Sequence, residues 1–160
     1  IAYSTSDPTS NLLMVMNADG TNQMVVLRAS KRSKISFSAP NWSPDGTQLV
    51  FQSNIQGNGI YVVKKDGSGL RKVIAVIESF AEPVWSPAPA ADGQWKIAFE
   101  DLPPGQGAHD IFLVNLDGTG LANLTNTSDR GEFYPTWDPF ATRLAAQSTT
   151  AGNELIHRLY

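Results

Sequence analysis

Tryptophan recurs in this chain inside one short phrase, Asn41-Trp42-Ser43-Pro44, Val84-Trp85-Ser86-Pro87 and Thr136-Trp137-Asp138-Pro139, at spacings of 43 and 52 residues. A second marker, Asp-Gly, keeps nearly the same period at Asp19-Gly20, Asp66-Gly67 and Asp117-Gly118, 47 and 51 residues apart. Leu13, Ile60 and Ile111 each stand six residues before that aspartate. Two independent markers sharing a period indicate a structural repeat. A period in the forties accommodates four short strands with their turns, the size of one β-propeller blade.

Each unit reads as strands a to d. Strand a ends at the Trp and is expected over residues 36–43, 81–86 and 132–137. Strand b is a short apolar run beginning at Ile1, Leu49, Ile97 and Leu144, and strand c begins at Leu13, Ile60, Ile111 and Leu155. Strand d follows the Asp-Gly turn, over residues 23–27, 71–77 and 122–125. Strands b and c are apolar at consecutive positions, as expected of strands covered on both faces. Pro44-Asp45-Gly46 supplies a fixed φ, a capping carboxylate and a φ > 0 residue for a tight turn. Asp66 and Asp117 precede Gly in hairpin turns, so these aspartates are read as turn residues and not as metal ligands. Trp95 falls outside the repeat and reads as a loop anchor.

These motifs resemble the TolB-like, WD-repeat-like β-propeller family. The second unit matches most fully, with Trp42-Ser43-Pro44-Asp45-Gly46, Leu49-Val50-Phe51, Ile60-Tyr61-Val62 and Asp66-Gly67-Ser68-Gly69. The third supplies Pro83, Trp85-Ser86-Pro87, Ile97-Ala98-Phe99, Asp117-Gly118-Thr119-Gly120 and Leu124-Thr125. Two departures stand out: Ala88-Pro89-Ala90-Ala91 is inserted before Asp92, and Asp138-Pro139-Phe140-Ala141 replaces the Ser-Pro-Asp-Gly turn. The resemblance implies an all-β propeller and a periplasmic or extracellular location. It implies less about activity, because such propellers serve as scaffolds, as peptidase gating domains and in lyases.

The repeat phase gives one propeller segment over residues 1–160, with blade boundaries near 1–34, 35–78, 79–130 and 131–160. The first unit lacks strand a and the last lacks strand d, so two complete four-stranded blades are expected between two partial ones. The expected setting is a longer ring of roughly six to eight blades, since closure hides sheet edges. The alternative is self-association, or a further chain, completing the ring. Ile1 is not an initiator residue, so the missing signal peptide carries no weight.

The net charge of −3 gives no general attraction to nucleic acid or to an anionic membrane. The basic cluster Arg28, Lys31, Arg32 and Lys34 reads as a solvated loop. Cysteine is absent, which excludes disulfides and thiolate metal ligation. No apolar run approaches the roughly 20 residues of a membrane-spanning helix.

Catalytic signals are sparse, and no enzyme activity, cofactor or metal is expected of this chain. There is no Gly-x-Ser-x-Gly elbow. His109 and His157 stand 48 residues apart. Glu78, Glu82, Glu100, Asp101, Asp129 and Glu132 could converge on a central channel, but acid–base work needs a fixed separation that sequence does not show. The glycines of Gly57-Asn58-Gly59 and Gly105-Gln106-Gly107 have no phosphate-binding context. The glycosylation-like triplets at Asn41, Asn123 and Asn126 are read as coincidental.

Binding is the better-supported expectation. In an antiparallel blade the a–b and c–d turns share one face, here short and glycine-rich. The b–c and d–a loops share the other and are irregular, over residues 7–11, 54–58, 102–109, 30–34, 78–82 and 126–134. Irregular loops on a rigid scaffold carry recognition, and aromatic and Arg side chains are common interface anchors. Lys34, Phe80, Glu82, Arg130, Glu132, Phe133 and Tyr134 are therefore the candidate binding residues for a protein or peptide partner. Burial of Phe133 and Tyr134 between blades is the competing reading. The gating propeller of a serine peptidase, with its catalytic domain elsewhere, and a carbohydrate-active propeller remain as other functions.

Overall fold

The computed structural model describes residues 1–77 and 81–149 together with the backbone of 155–159. Among the described residues fourteen strands form four antiparallel sheets, and helix is confined to one 3₁₀ turn, Lys31–Ser33. The first sheet holds β1 (Ala2–Ser6), β2 (Ser10–Val15) and β3 (Met24–Ser30). The second holds β4 (Phe37–Trp42), β5 (Gln48–Ser53), β6 (Gly59–Lys64) and β7 (Arg71–Ala75). The third holds β8 (Val84–Trp85), β9 (Lys96–Asp101), β10 (Asp110–Asn115) and β11 (Ala122–Asn123). The fourth holds β12 (Gly131–Trp137), β13 (Leu144–Thr149) and β14 (Leu155–Leu159). These are two four-stranded blades between two three-stranded ones. The inner strands β4, β8 and β12 lie beside one another, β8 touching both of the others.

The consecutive apolar residues of the middle strands serve two interfaces in alternation. Leu49, Phe51, Tyr61 and Val63 join Leu13, Val15, Val26 and Phe37 in a core between the first and second blades. Val50, Ile60 and Val62 face the other way and join Val73, Trp85, Ile97, Phe99 and Val114 between the second and third. A period of two along each strand thus puts successive side chains into different cores. Each fully buried Val, Leu or Phe contributes about 1.5–3 kcal/mol. Trp85 belongs to the second core, Trp42 packs on the first, and Trp95 packs on the second from its loop.

The Asp-Gly hairpins hold the blades in register. The amides of Gly20, Gly67 and Gly118 donate to Asn17, Lys64 and Asn115, and these three residues donate in turn to Thr21, Ser68 and Thr119. The preceding aspartates accept from the amides and hydroxyls of Thr21, Ser68 and Thr119. These hydroxyl bonds, with the amide bonds next, hold the three carboxyls below the ordinary aspartate range. In the fourth blade Ala141, at φ 56°, takes the place that Gly46 holds at 66° in the second, and Asp138 caps the turn through the Thr142 and Arg143 amides.

Several strands end earlier or later than the apolar pattern predicts. β3 runs on to Ser30, whereas β7 stops at Ala75 and the Ile77 amide instead donates to the Asp101 carboxylate. β11 is only two residues long, because Thr125 leaves the sheet to bond its hydroxyl to Asp110. β8 is likewise cut to Val84–Trp85, within the 81–86 span expected of strand a. Among the described residues no helix is long and apolar enough to cross a membrane.

A Cβ added to Gly67 would stand 2.6 Å from the Val26 carbonyl oxygen, and one on Gly118 2.5 Å from that of Val73. Each hairpin glycine therefore presses on the outer strand of the preceding blade, with φ of 85° and 88°. Gly20 has φ 83° but nothing within 4 Å of such a Cβ. Gly67→Ala and Gly118→Ala should each destabilise by about 2–4 kcal/mol, from left-handed backbone plus overpacking, against about 1 kcal/mol for Gly20→Ala. Urea unfolding of the three variants separates the contributions; equal losses would refute the interblade contact.

Candidate functional site

Strand a carries a break in every blade where it is described. The β4–β5 register shifts between Ser38 and Asn41, and the β12–β13 register between Phe133 and Thr136. In the third blade Ala81 accepts from the Glu100 amide before β8 resumes at Val84. The displaced residues are Ala39, Glu82 and Tyr134, at φ 46°, 37° and 55°. Each lies three places before its blade Trp and directly before a proline, Pro40, Pro83 or Pro135. A proline gives up no ladder bond where the strand is already unpaired, and it disfavours right-handed helical backbone in the residue before it. The Pro-x-Trp spacing was visible in the sequence; a proline inside an inner strand was the available signal for the bulge.

The three breaks meet at the inner wall. Ala39, Pro40, Glu82, Pro83, Tyr134 and Pro135 line a single cavity together with Asn41 and Val84. Tyr134 is 52% exposed there. Behind it the Tyr134 amide donates to Glu100 Oε2 at 2.6 Å. Glu100 is only 3% exposed, and burial pushes its carboxyl up to about 7, against the Tyr134 bond and with help from the Glu82 charge. Burial also raises Glu82. In the second blade the corresponding strand-b position is Gln52, whose Oε1 accepts from the Ala81 amide at 3.2 Å.

The loop before β12 is held by buried polar groups. Asp110 accepts from Thr125 Oγ1, the Thr127 amide and Asn123 Nδ2 at 3.0, 2.9 and 2.7 Å. The Thr127 hydroxyl donates to Glu132 Oε2, while Arg130 Nε and Ser148 Oγ donate to Glu132 Oε1. This joins the third and fourth blades through a satisfied carboxylate network.

The sequence-derived candidates therefore separate. Glu82 and Tyr134 share the inner cavity. Phe133 is half-buried, its ring 5.0 Å from that of His109 and 6.2 Å from that of Tyr134. Glu132 has no exposed surface, and Arg130 is paired with it at 3.1 Å. Lys34 is exposed in the connection between the first and second blades, left-handed at the end of the 3₁₀ turn and away from this cavity's lining. Phe80 and Glu78 lie outside the described residues, as does the side chain of His157. No group of three or more His, Cys, Asp or Glu among the described residues is placed to hold a metal. The reading of the residues did not single out Ala39, nor Glu100 as the partner of Tyr134.

No protein-family model matches the chain. Over 66 residues it is 41% identical to the Tol-Pal system protein TolB of Actinobacillus succinogenes, covering 41% of this chain and 14% of that protein. Over 73 residues it is 32% identical to the uncharacterized peptidase YuxL of Bacillus subtilis, covering 44% of this chain and 10% of that one. Among solved structures, TolB from Acinetobacter baumannii superposes with a TM-score of 0.74 at 17% identity, over 99% of this chain and 37% of its own. Puromycin hydrolase gives 0.67 at 18%, over 98% and 24%. A manganese complex of oligogalacturonate lyase gives 0.65 at 15%, over 94% and 46%. The chain thus spans less than half of each of these proteins, and the structural likenesses establish the propeller fold.

A carboxyl whose folded value lies at about 7, against 4.5 when exposed, binds its proton more tightly in the folded state. Stability contributed by Glu100 is thus present at low pH and declines as pH rises through that interval. Glu100→Gln, which copies the amide of Gln52, should flatten this dependence and stabilise the chain by about 1–3 kcal/mol near pH 8. Urea unfolding near pH 5 and near pH 8 measures it, and an unchanged slope in the variant would exclude Glu100 as the source.

Proposed function

We propose that this chain, built of TolB-like β-propeller blades, is a non-enzymatic scaffold that binds a protein or peptide partner on its irregular-loop face and adjoining inner wall. The observation that carries the proposal is Tyr134, an aromatic side chain left 52% exposed on a rigid inner strand. It lines a cavity to which three blades contribute. Large exposed aromatics on preorganised backbone are typical binding anchors, since little ordering entropy is lost when a partner docks. The loop behind Tyr134 is pinned by Asp110 and Glu132, which keeps the anchor in place. A periplasmic or extracellular location belongs to the same proposal and is supported by the likeness of the repeat to TolB.

A second reading is the gating propeller of a serine peptidase, favoured by the 32% identity to the YuxL peptidase over 73 residues. A Gly-x-Ser-x-Gly elbow followed by Asp and His in the flanking gene sequence would establish it.

Arg130 is a poor probe of the face, because its removal strands the buried Glu132 carboxylate and unfolding would mimic lost binding. Tyr134→Ala is cleaner. With the chain immobilised against an envelope extract of its source, the retained partner should bind about tenfold or more weakly to this variant, the loss expected of one interface anchor. Leu121→Ser alters an exposed residue beside the opposite, Asp-Gly turn face and should leave capture unchanged. Equal capture by wild type and Tyr134→Ala would refute the binding face.

A further inference from the structure

The bulge of strand a separates a constant frame from a variable side chain. Three blades place a left-handed residue before a proline and three positions before the Trp, and all three residues line one cavity. The frame is the same each time, whereas the displaced residue is small in the second blade (Ala39), anionic in the third (Glu82) and aromatic in the fourth (Tyr134). Bulges re-aim side chains and recur beside functional sites. Left-handed backbone in a residue other than glycine costs about 1–2 kcal/mol, which surrounding structure must offset at each of these positions.

We propose that this position selects what the inner wall accepts, and that Glu82 and Tyr134 together seat a cationic side chain, arginine or lysine, of a bound peptide. The inference rests on the peptide-binding reading above and names the chemistry of the partner. A carboxylate and an aromatic face on one cavity attract the same positive group, the first by a charge-assisted hydrogen bond and the second through the ring quadrupole. Glu100 adds a carboxyl behind Tyr134, bonded to its amide. The prolines form apolar walls suited to the methylene stem of a long basic side chain. A bare divalent cation fits this lining poorly: calcium takes roughly six to eight oxygen ligands, and no group of three or more acidic or imidazole side chains among the described residues is placed to hold a metal.

The test uses the whole chain, isotopically labelled and titrated near neutral pH with N-acetyl-arginine amide and with its uncharged isostere N-acetyl-citrulline amide. Backbone amide shifts of Glu82, Val84, Tyr134 and Thr136 report the cavity. Arginine amide should bind about tenfold more tightly than citrulline amide, and Glu82→Gln and Tyr134→Leu should each weaken it about fivefold. Ala39→Glu sets a further carboxylate on the same frame, as Glu82-Pro83 already does one blade on. It should tighten arginine amide about fivefold, a gain that misfolding could not imitate. Equal binding of the two amides, or an Ala39→Glu variant without gain, would overturn the proposal. So would calcium chloride displacing arginine amide with an affinity indifferent to Tyr134→Leu, which would make the site a metal site. Partner capture that depends on Tyr134 without any arginine preference refutes only this inference. Arginine selectivity without partner capture refutes only the binding role proposed above.

Discussion

The fold depends on the middle strands of the inner blades being covered on both faces, whereas β1 of the first blade is largely open and β13 of the fourth is buried at alternate positions. β5 and β6 are buried almost throughout, and their side chains divide between a core with the first blade and a core with the third. Such a sheet has no face of its own to offer solvent and is stable only between neighbours, which is why repeat architectures gain cooperativity from their interfaces. The arrangement also fixes where function can reside. Strands b and c are committed to packing, leaving the inner strands and the loops to meet other molecules.

Rigid turns hold the stack at a fixed distance. The hairpin glycines at 67 and 118 approach the backbone of the preceding blade so closely that no side chain can be accommodated, and the aspartates before them lock the hairpins through Ser and Thr hydroxyls. The Trp85 amide donates to Asn41 of the preceding blade at 3.1 Å, adding a polar link near the inner wall. The hairpin contacts repeat one blade further on, whereas the Asn41 link does not, because Val84 stands at the equivalent position of the third blade.

The junction between the third and fourth blades departs from that uniformity. Glu132, Asp110 and Thr127 add buried, mutually bonded polar groups to buried aliphatic residues such as Ile111 and Ala146, and Glu100 occupies the place of Gln52 one blade earlier. Fully satisfied buried networks order their surroundings, whereas a partner removed from one leaves a costly unpaired group. Here the ordering acts on the segment that presents Phe133 and Tyr134, so the exposed Tyr134 lies beside a buried polar network.

The repeat period, the Asp-Gly turns and the apolar runs determined the fold, including the number of strands and their assignment to blades, because local turn chemistry and a doubly covered strand both leave marks within a few residues. The loop side chains were another matter. Arg130, Glu132, Phe133 and Tyr134 are nearly adjacent in the chain and looked alike as candidates, yet Glu132 turns wholly inward, Phe133 lies half-covered against His109, and Tyr134 faces the cavity. Which way each one points depends on a bulge and on groups from β9, β10 and β13, residues that sequence proximity does not connect. The charge state of Glu100 has the same origin. A carboxyl next to Phe99 in the chain carries no sign of its burial, which raises its proton affinity most, with the Tyr134 amide opposing that rise and the Glu82 charge adding to it.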